Sequence, residues 1–473
     1  MNDLLDLPRT GVQSGAGSTY HILTWGCQMN EEDSEQMSLF LEEMGYSYTA
    51  DPSQADVVLL NTCSVRQKPE DKVYSKLGEL REWKQDRPDM IIGVTGCMAQ
   101  VESSEIRRRA PFVDLVMGTG NLGALPNLIT AAKLRRETTS GRAPVTELSL
   151  PPRKGAVVTD IPLRNLLRRP KIKAHVPIMY GCDKFCAFCI VPYTRGRERS
   201  RPSAEIVREV QMLARGGTRE VTLLGQTVNS YGKNLAEGRV AFAKLLEQLN
   251  DITGLQRIRF TSPYPRDFTD DLIEAIARLP KVCEHVHLPL QVADDDLLAV
   301  MRRGYTLAEF DAIVTKLRTL CPGIAITTDI MLGFPGETDE QYRNTMQYVE
   351  ETRFDSAFMF AYSIRRGTKA ADMPNQVPHA VKIERLSALV ELQNRITVEK
   401  NQSLVGTTAE VLVEGFSPKD PSRLTGNTRT LKTVNFTIPT DSARPAESLI
   451  GRCVPVLLKE AGLTGFTGEA VFE

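Results

Sequence analysis

The sequence predicts a multidomain α/β chain: a parallel α/β sheet domain, then an incomplete (β/α)6 barrel, then a small β-barrel. Three observations carry this. Short apolar runs alternate with helical periodicity up to about residue 135, as a parallel sheet requires. The same alternation resumes near residue 171 and gives six strand–helix units. After a long amphipathic pattern at Lys382–Gln402 the texture changes to short strands with Gly, Pro and Ser turns, which suits a small barrel.

The first region repeats one grammar three times. His21-Ile-Leu-Thr-Trp-Gly-Cys27, Asp56-Val-Val-Leu-Leu-Asn-Thr-Cys63 and Met90-Ile-Ile-Gly-Val-Thr-Gly-Cys97 are apolar runs that each end in a cysteine. Such runs read as strands buried on both faces. Helical patterns follow at Ser34–Met44, Lys72–Lys84 and Ser103–Arg109, and a fourth strand is expected at Val113–Met117. Ligands of parallel sheets bind beyond the strand carboxyl ends, so the fold should gather Cys27, Cys63 and Cys97 at one edge. From about residue 136 to 170 the chain is rich in Arg, Thr, Ser and Pro and reads as a linker with one strand at Gly155–Thr159.

The second region has strand candidates at His175–Tyr180, Glu220–Leu224, Arg257–Phe260, His285–Pro289, Ile324–Ile330 and Ser356–Ala361. Helical patterns at Ser203–Arg215, Ala241–Asn250, Asp270–Arg278, Leu307–Leu320 and Asp339–Thr352 separate them. The third has strand-like stretches at Thr407–Val413, Thr430–Phe436 and Arg452–Lys459. The expected domains are therefore 18–135, a linker at 136–170, then 171–402 and 403–473.

With 41% apolar and 25% charged residues in 473, the composition is that of a globular chain. No apolar run is long enough to span a membrane, and Met1–Ser18 lacks a signal pattern, so the cytoplasm is expected. The net charge of −1 excludes a global basic field, so nucleic-acid binding would need local patches. Candidates are Arg164–Lys173 and the cluster Arg195, Arg197, Arg199 and Arg201; a solvated surface is the alternative for either. Nine cysteines in such a chain point to metal ligation or catalysis before disulfides.

Spacing decides which cysteines matter. Gly181-Cys-Asp-Lys-Phe-Cys-Ala-Phe-Cys189 places three thiols at Cys-x3-Cys-x2-Cys directly after a strand. Three thiolates this close can ligate three irons of a 4Fe–4S cluster and leave the fourth iron without a protein ligand. Zinc would want four closed ligands, and no partnering His or Cys lies nearby.

This loop resembles the signature of radical S-adenosylmethionine enzymes. With Gly26-Cys-Gln-Met-Asn30, Asn61-Thr-Cys-Ser-Val-Arg66 and Gly96-Cys-Met-Ala-Gln100, the chain from about Ser18 to its end resembles the methylthiotransferase family. The resemblance implies two 4Fe–4S clusters as cofactors, one on Cys182, Cys186 and Cys189 and an auxiliary one on Cys27, Cys63 and Cys97. It implies S-adenosylmethionine as the cofactor that the first cluster cleaves to a 5′-deoxyadenosyl radical. Gln226, Asn229, Ser262, Gln291 and Asp329, at the ends of the following strands, are the expected S-adenosylmethionine contacts.

Within the family, the flanks of the cysteine loop, Val116-Met-Gly-Thr-Gly-Asn121 and Arg259-Phe-Thr-Ser-Pro263 resemble the branch that methylthiolates carbon 2 of N6-isopentenyladenosine beside the anticodon of tRNA. The C-terminal module resembles a TRAM domain, for which Arg423, Arg429 and Lys432, with Phe416 and Phe436, would supply charge and stacking. Arg195 and Arg197 are further expected RNA contacts. The partners implied are tRNA, an electron donor such as flavodoxin or ferredoxin, and a donor of replacement sulfur, with the chain a monomer.

Three places depart from the family pattern. Gln291-Val292-Ala293-Asp294 stands where Gln-Ser-Gly is usual, Ser363-Ile-Arg-Arg-Gly367 where Ser-Pro-Arg-Pro-Gly is usual, and Trp25 where Tyr is expected. The first leaves open which side chain there meets S-adenosylmethionine. Cys283, Cys321 and Cys453 lack ligand spacing and read as structural. The rival readings are a sister methylthiotransferase, acting on threonylcarbamoyl-adenosine or on a ribosomal-protein aspartate, and a non-catalytic iron–sulfur RNA-binding protein.

Overall fold

A computed structural model of the chain describes residues 17–63, 67–138, 143–150, 168, 171–235, 238–439 and 444–472. The expected strand at Gly155–Thr159 and most of the basic stretch Arg164–Lys173 lie outside these. The chain divides into two compact units, Met1–Arg153 with Asp160–Arg168 and Tyr193–Gly196, and Lys154–Thr159 with Arg169–Pro192 and Arg197–Glu473.

In the first unit the chain runs through β1 (Thr19–Trp25), α1 (Gln28–Glu43), β2 (Ser47–Tyr48), β3 (Val57–Thr62), α2 (Gln67–Asp86), β4 (Ile91–Gly96), α3 (Cys97–Arg109), β5 (Leu115–Met117), α4 (Leu125–Thr138) and β6 (Val145–Glu147). These strands form a sheet in the order β2-β1-β3-β4-β5-β6, every pair parallel. β3 and β4 are buried along their whole length, as their unbroken apolar runs require. One face of β3 and β4 packs Val57, Leu59 and Ile91 against Met37, Leu41, Leu125 and Ile129. The other packs Val58, Leu60, Ile92 and Val94 against Val73, Leu77, Leu80 and Ile106. Sequence patterning misses α4 and the edge strands β2 and β6; the strands are only two and three residues long, below any detectable period.

The second unit begins with β7 (Lys173–Pro177), β8 (Met179–Tyr180), α5 (Val191–Thr194, whose last two residues belong to the first unit), β9 (Arg199–Ser200), α6 (Ser203–Arg215), β10 (Glu220–Leu224), α7 (Phe242–Asn250), β11 (Arg257–Phe260) and α8 (Asp270–Arg278). It continues with β12 (His285–His287), α9 (Asp295–Val300), α10 (Leu307–Leu320), β13 (Ala325–Leu332), α11 (Asp339–Thr352), β14 (Ser356–Ala361) and α12 (His379–Gln402). The six major strands appear where the alternation places them, but as two parallel sheets, β11-β10-β7 and β12-β13-β14, and not as one continuous ladder. Between the sheets Ile258 and Val282 make a single parallel bridge. Pro289 offers no N–H, and β12 stops two residues before it.

The chain ends in a closed barrel of β15 (Thr408–Phe416), β16 (Leu424–Thr428), β17 (Thr433–Thr437), β18 (Cys453–Ala461) and β19 (Phe466–Ala470), ordered β15-β16-β17-β19-β18. Its core is Val411, Val413, Val434, Phe436, Val456 and Phe466. β16 and β19, Leu-Thr-Gly-Asn-Thr and Phe-Thr-Gly-Glu-Ala, escape the sequence reading because their glycines mimic turns. Closure explains the glycines: a Cβ at Gly426 would lie 2.1 Å from the Leu412 carbonyl oxygen, and one at Gly468 2.5 Å from that of Leu457.

Candidate metal centre

In the first unit Cys27 follows β1, Cys63 follows β3 and Cys97 follows β4. β1, β3 and β4 are neighbours, paired Trp25 to Thr62 and Thr62 to Gly96, so the register brings the three thiols to one sheet edge. Cys27 caps α1 and Cys97 is the first residue of α3, so both sulfurs sit where helix N-termini favour negative charge. Gly96 makes the turn into α3 possible: its φ is +89°, and a Cβ there would lie 2.6 Å from the Thr62 carbonyl oxygen.

Buried amides fix this edge. Asn30 donates to Asn61 Oδ1 at 3.1 Å, and Asn61 Nδ2 donates to the Asn30 carbonyl at 2.8 Å and to Ser34 Oγ at 2.9 Å. The Cys27 amide donates to Asn30 Oδ1 at 3.4 Å, and the Cys63 amide to the Trp25 carbonyl at 2.9 Å. The Cys63 thiol lies within hydrogen-bonding reach of both Cys27 and Cys97. That sharing, aided by the Arg195 charge, pulls the Cys27 thiol down to about 5 and the Cys97 thiol down to about 6. The same sharing pushes the Cys63 thiol far above its ordinary value. Two favoured thiolates on three converging cysteines suit a group held through sulfur.

Arg195 is the correction here. Expected at an RNA surface, it is 5% exposed and donates to Asp33 Oδ2 at 2.9 Å inside the first unit, within hydrogen-bonding reach of Cys97. Burial raises Asp33 to about 7 against the pull of Arg195. The basic cluster around it is not a surface patch either. Arg199 and Arg201 are buried, Arg201 pairs with Glu209 at 2.8 Å, and Arg197 forks onto Asp183. Burial takes Arg195, Arg199 and Arg201 out of the solvent-facing field, while Arg197 stays about a third exposed with its charge paired to Asp183.

The second trio lies in the second unit, in the loop after β8. Gly181 turns the chain into Cys182 with φ +74°, and Phe185 adopts φ +49°. Cys182 and Cys186 are buried and Cys189 is partly so. Lys184 bonds Asp267 at 2.6 Å, the Ala187 amide donates to the Met301 carbonyl at 2.9 Å, and Arg303 Nη1 donates to Cys186 Sγ at 3.3 Å. Burial pushes the Cys189 thiol up to about 12 and Cys182 higher still. Among the described residues no group of three or more His, Cys, Asp or Glu donors is arranged around a single ion. Three sulfurs spread around a larger body, one for each of three irons, are the donor set that suits a cluster.

The two trios should behave differently in metal-free protein. At pH 7 an iodoacetamide label should reach exposed Cys27, a thiolate above about pH 5, well before buried Cys182 and part-buried Cys189, whose thiol is pushed up to about 12. Lowering the pH through about 5 should slow Cys27 labelling as the thiolate is protonated. Peptide mass spectrometry checks this; equal early labelling of Cys182 or Cys189 would contradict it.

The other strand ends carry the expected contacts in two ways. Gln226 Oε1 is buried and meets no hydrogen-bond donor among the described residues, which suits a polar ligand group. Ser262 and Gln291 hold φ values of +56° and +77°, backbone strain of the kind concentrated at ligand sites. Asp329 lies on the sheet face shared with His287, whose Nε2 is 3.3 Å from Asp329 Oδ1. Asn229 is different: its amide donates to the Tyr264 carbonyl at 2.9 Å and accepts from the Tyr264 amide at 2.7 Å, clamping two loops together. The sequence reading misses Asp33, Arg303, Lys184 and Asp267, because charged residues without spacing carry no local signal.

In the C-terminal barrel, Arg429 forks onto Glu284 at 2.6 and 2.7 Å and donates to the Val282 carbonyl, and Lys432 lies 3.9 Å from Asp355. Both tie the barrel to the strand–helix region. Arg423 is half-exposed beside Asp420, Phe416 is exposed, and Phe436 is core.

Comparison with known proteins matches residues 19–118 to a family described as "Uncharacterized protein family UPF0004" and residues 176–349 to the radical SAM superfamily. The tRNA-2-methylthio-N(6)-dimethylallyladenosine synthase of Moorella thermoacetica is 48% identical, covering 96% of this chain and 99% of that protein. Proteins of the same name from Thermoanaerobacter pseudethanolicus and Clostridium botulinum are 46% and 45% identical, covering 97% and 100% of this chain and 93% and 100% of theirs. Among solved structures, the radical S-adenosylmethionine methyltransferase TsrM of Kitasatospora setae shares the fold at a TM-score of 0.52 and 14% identity, over 83% of this chain and 78% of that one.

Proposed function

Since the chain belongs to the tRNA-2-methylthio-N(6)-dimethylallyladenosine synthase family, we propose that it installs a methylthio group on carbon 2 of N6-isopentenyladenosine beside the anticodon of tRNA. The observation that carries this reading is the pair of cysteine trios at strand carboxyl ends, one in each unit. The hydrogen on carbon 2 is unactivated, so no side-chain base removes it usefully and a radical is required. The two trios would hold 4Fe–4S clusters, which when bound would supply the electron for reductive cleavage of S-adenosylmethionine and the sulfur to be delivered.

The residues' own work is positioning. Cys182, Cys186 and Cys189 would hold the cleavage cluster, and Cys27, Cys63 and Cys97 the auxiliary one. Gln226, Ser262, Gln291 and Asp329 would orient S-adenosylmethionine, with Asn229 bracing the loop that carries Gln226. Exposed Phe416 and half-exposed Arg423 support an RNA contact on the C-terminal barrel. Flavodoxin or ferredoxin as electron donor, a separate sulfur donor, a monomeric state and a cytoplasmic site complete the proposal. Among the described residues no helix is long and apolar enough to cross a membrane.

Anaerobic reconstitution with iron, sulfide, S-adenosylmethionine and isopentenylated tRNA, followed by mass spectrometry of the nucleosides, tests the substrate. The expected product is the 2-methylthio nucleoside. No such product from enzyme with both clusters intact would overturn the assignment.

A further inference from the structure

The segment after α9, Met301-Arg-Arg-Gly-Tyr305, has no part in the strand-end logic of the site, yet it packs directly on the cysteine loop. The Met301 carbonyl accepts from the Ala187 amide at 2.9 Å, and Met301 and Ala187 share one small core cluster. Arg302 turns the chain with φ +58°, which aims Arg303 inward. Arg303 is 7% exposed. Nη1 donates to Cys186 Sγ at 3.3 Å, Nε to Tyr305 Oη at 3.2 Å and Nη2 to the Pro289 carbonyl at 3.4 Å. The guanidinium also lies 5.2 Å from the Tyr264 ring centre and 5.4 Å from that of Tyr305. The Tyr264 hydroxyl donates to the Arg303 carbonyl, and the Tyr305 hydroxyl to the Leu290 carbonyl at 2.8 Å, so both rings are fixed.

The partners of this buried cation are two tyrosines, a backbone carbonyl and one sulfur. No carboxylate among the described residues forms an ion pair with it, in contrast to Arg195 on Asp33 and Arg201 on Glu209. A buried guanidinium needs an anion, and π faces and carbonyl dipoles only partly replace one. The one sulfur it reaches is Cys186 Sγ, which would carry that negative charge when it ligates a cluster. Hydrogen bonds to ligating sulfurs and nearby positive charge both raise the reduction potential of an iron–sulfur cluster.

We propose that Arg303 is the positioning residue that sets the potential of the S-adenosylmethionine-cleaving cluster, by fixing an unneutralised positive charge and a hydrogen bond on the Cys186 sulfur. This rests on the assignment of Cys182, Cys186 and Cys189 as ligands. The chain surrounds the charge with tyrosines and carbonyls, so it stays directed at the sulfur. A carboxylate partner would cancel most of the field.

The test is a spectroelectrochemical EPR titration of the reconstituted full-length protein as parent, Arg303→Gln and Arg303→Lys, without S-adenosylmethionine. The cleavage-cluster signal is identified as the one that S-adenosylmethionine perturbs when added afterwards. Arg303→Gln should lower the reduced-to-oxidised ratio at a fixed potential about tenfold, equivalent to about 59 mV for one electron. Arg303→Lys, which keeps the charge, should fall between Arg303→Gln and the parent, and the other cluster should not move. An unchanged midpoint in Arg303→Gln with both clusters loaded would overturn the proposal, as would equal shifts in the two variants. Weaker S-adenosylmethionine binding with an unchanged midpoint would likewise overturn it and make Arg303 a cosubstrate clamp. If Arg303→Gln loads no cleavage cluster, Arg303→Lys decides: a ratio lowered by less than tenfold supports the charge, and an unchanged ratio or a full tenfold loss refutes it. Absence of any cluster on the loop of the parent would instead refute the ligand assignment.

Discussion

Cys186→Ala should abolish formation of 5′-deoxyadenosine from S-adenosylmethionine, by at least about 100-fold, since even outer-shell changes at metal sites reach that range. The expectation follows from how little redundancy the loop has. Cys182, Cys186 and Cys189 are its only thiols, and the Gly181 turn and the left-handed Phe185 fix the path between them. Lys184 on Asp267, Arg197 on Asp183 and Ala187 on Met301 hold that path in place, so no neighbour can swing in to replace a lost sulfur. Removing Cys186 also strips the buried Arg303 guanidinium of the sulfur that accepts from Nη1, a cost of about 1–3 kcal/mol for an unsatisfied buried donor. Iron content should fall by about half if the second trio is intact. Chromatography of the nucleosides after dithionite reduction reads the result; deoxyadenosine at the parental rate would mean that these cysteines do not hold the cleaving cluster.

The second large effect separates the two trios. Cys63→Ala should leave S-adenosylmethionine cleavage within a few-fold of the parent and eliminate the methylthio nucleoside. Cys63 lies within hydrogen-bonding reach of both Cys27 and Cys97, so its loss leaves the two outer sulfurs without the residue between them. It lies in the first unit, where β3 delivers it, whereas the loop trio is held by contacts wholly within the second unit. Cleavage should therefore continue as an uncoupled reaction. Normal 2-methylthio product from Cys63→Ala would refute the auxiliary role, and loss of cleavage as well would show that the trios do not work separately.

The parts of this architecture legible in the sequence share a physical property: their signal is local. The run Gly181–Cys189 carries its spacing within nine residues. β3 and β4 announce burial on both faces through their apolar runs, Val57–Leu60 and Ile91–Val94, while buried Asn61 is covered by its hydrogen bonds. α1 shows the limit of such reading. Periodicity begins it at Ser34, whereas the helix starts at Gln28, because its polar first turn buries Asn30, Glu32 and Asp33 against the site. Buried polar residues break the apolar stripe on which amphipathic patterns depend. β16 and β19 were hidden for the opposite reason: glycine, usually a turn former, is demanded there by close strand approach.

Charge was the property least readable from order along the chain. Arg195 and Asp33 meet across 162 positions, and Arg429 reaches Glu284 across 145. A run of arginines looks the same whether its partners are phosphates or buried carboxylates, and only the fold supplies the carboxylates. The sequence by itself determined the alternation of strands and helices, and with it the close trio and the sheet edge to which three distant cysteines must come. Tertiary structure alone decided which thiols converge within hydrogen-bonding reach and which arginines leave the surface. It also decided that Arg303, unremarked in the sequence, should face the Cys186 sulfur with no carboxylate ion pair among the described residues. The reason is range: backbone periodicity is fixed by neighbours a few residues away, while the field at a buried sulfur is the sum over whatever the completed fold brings within a few ångströms.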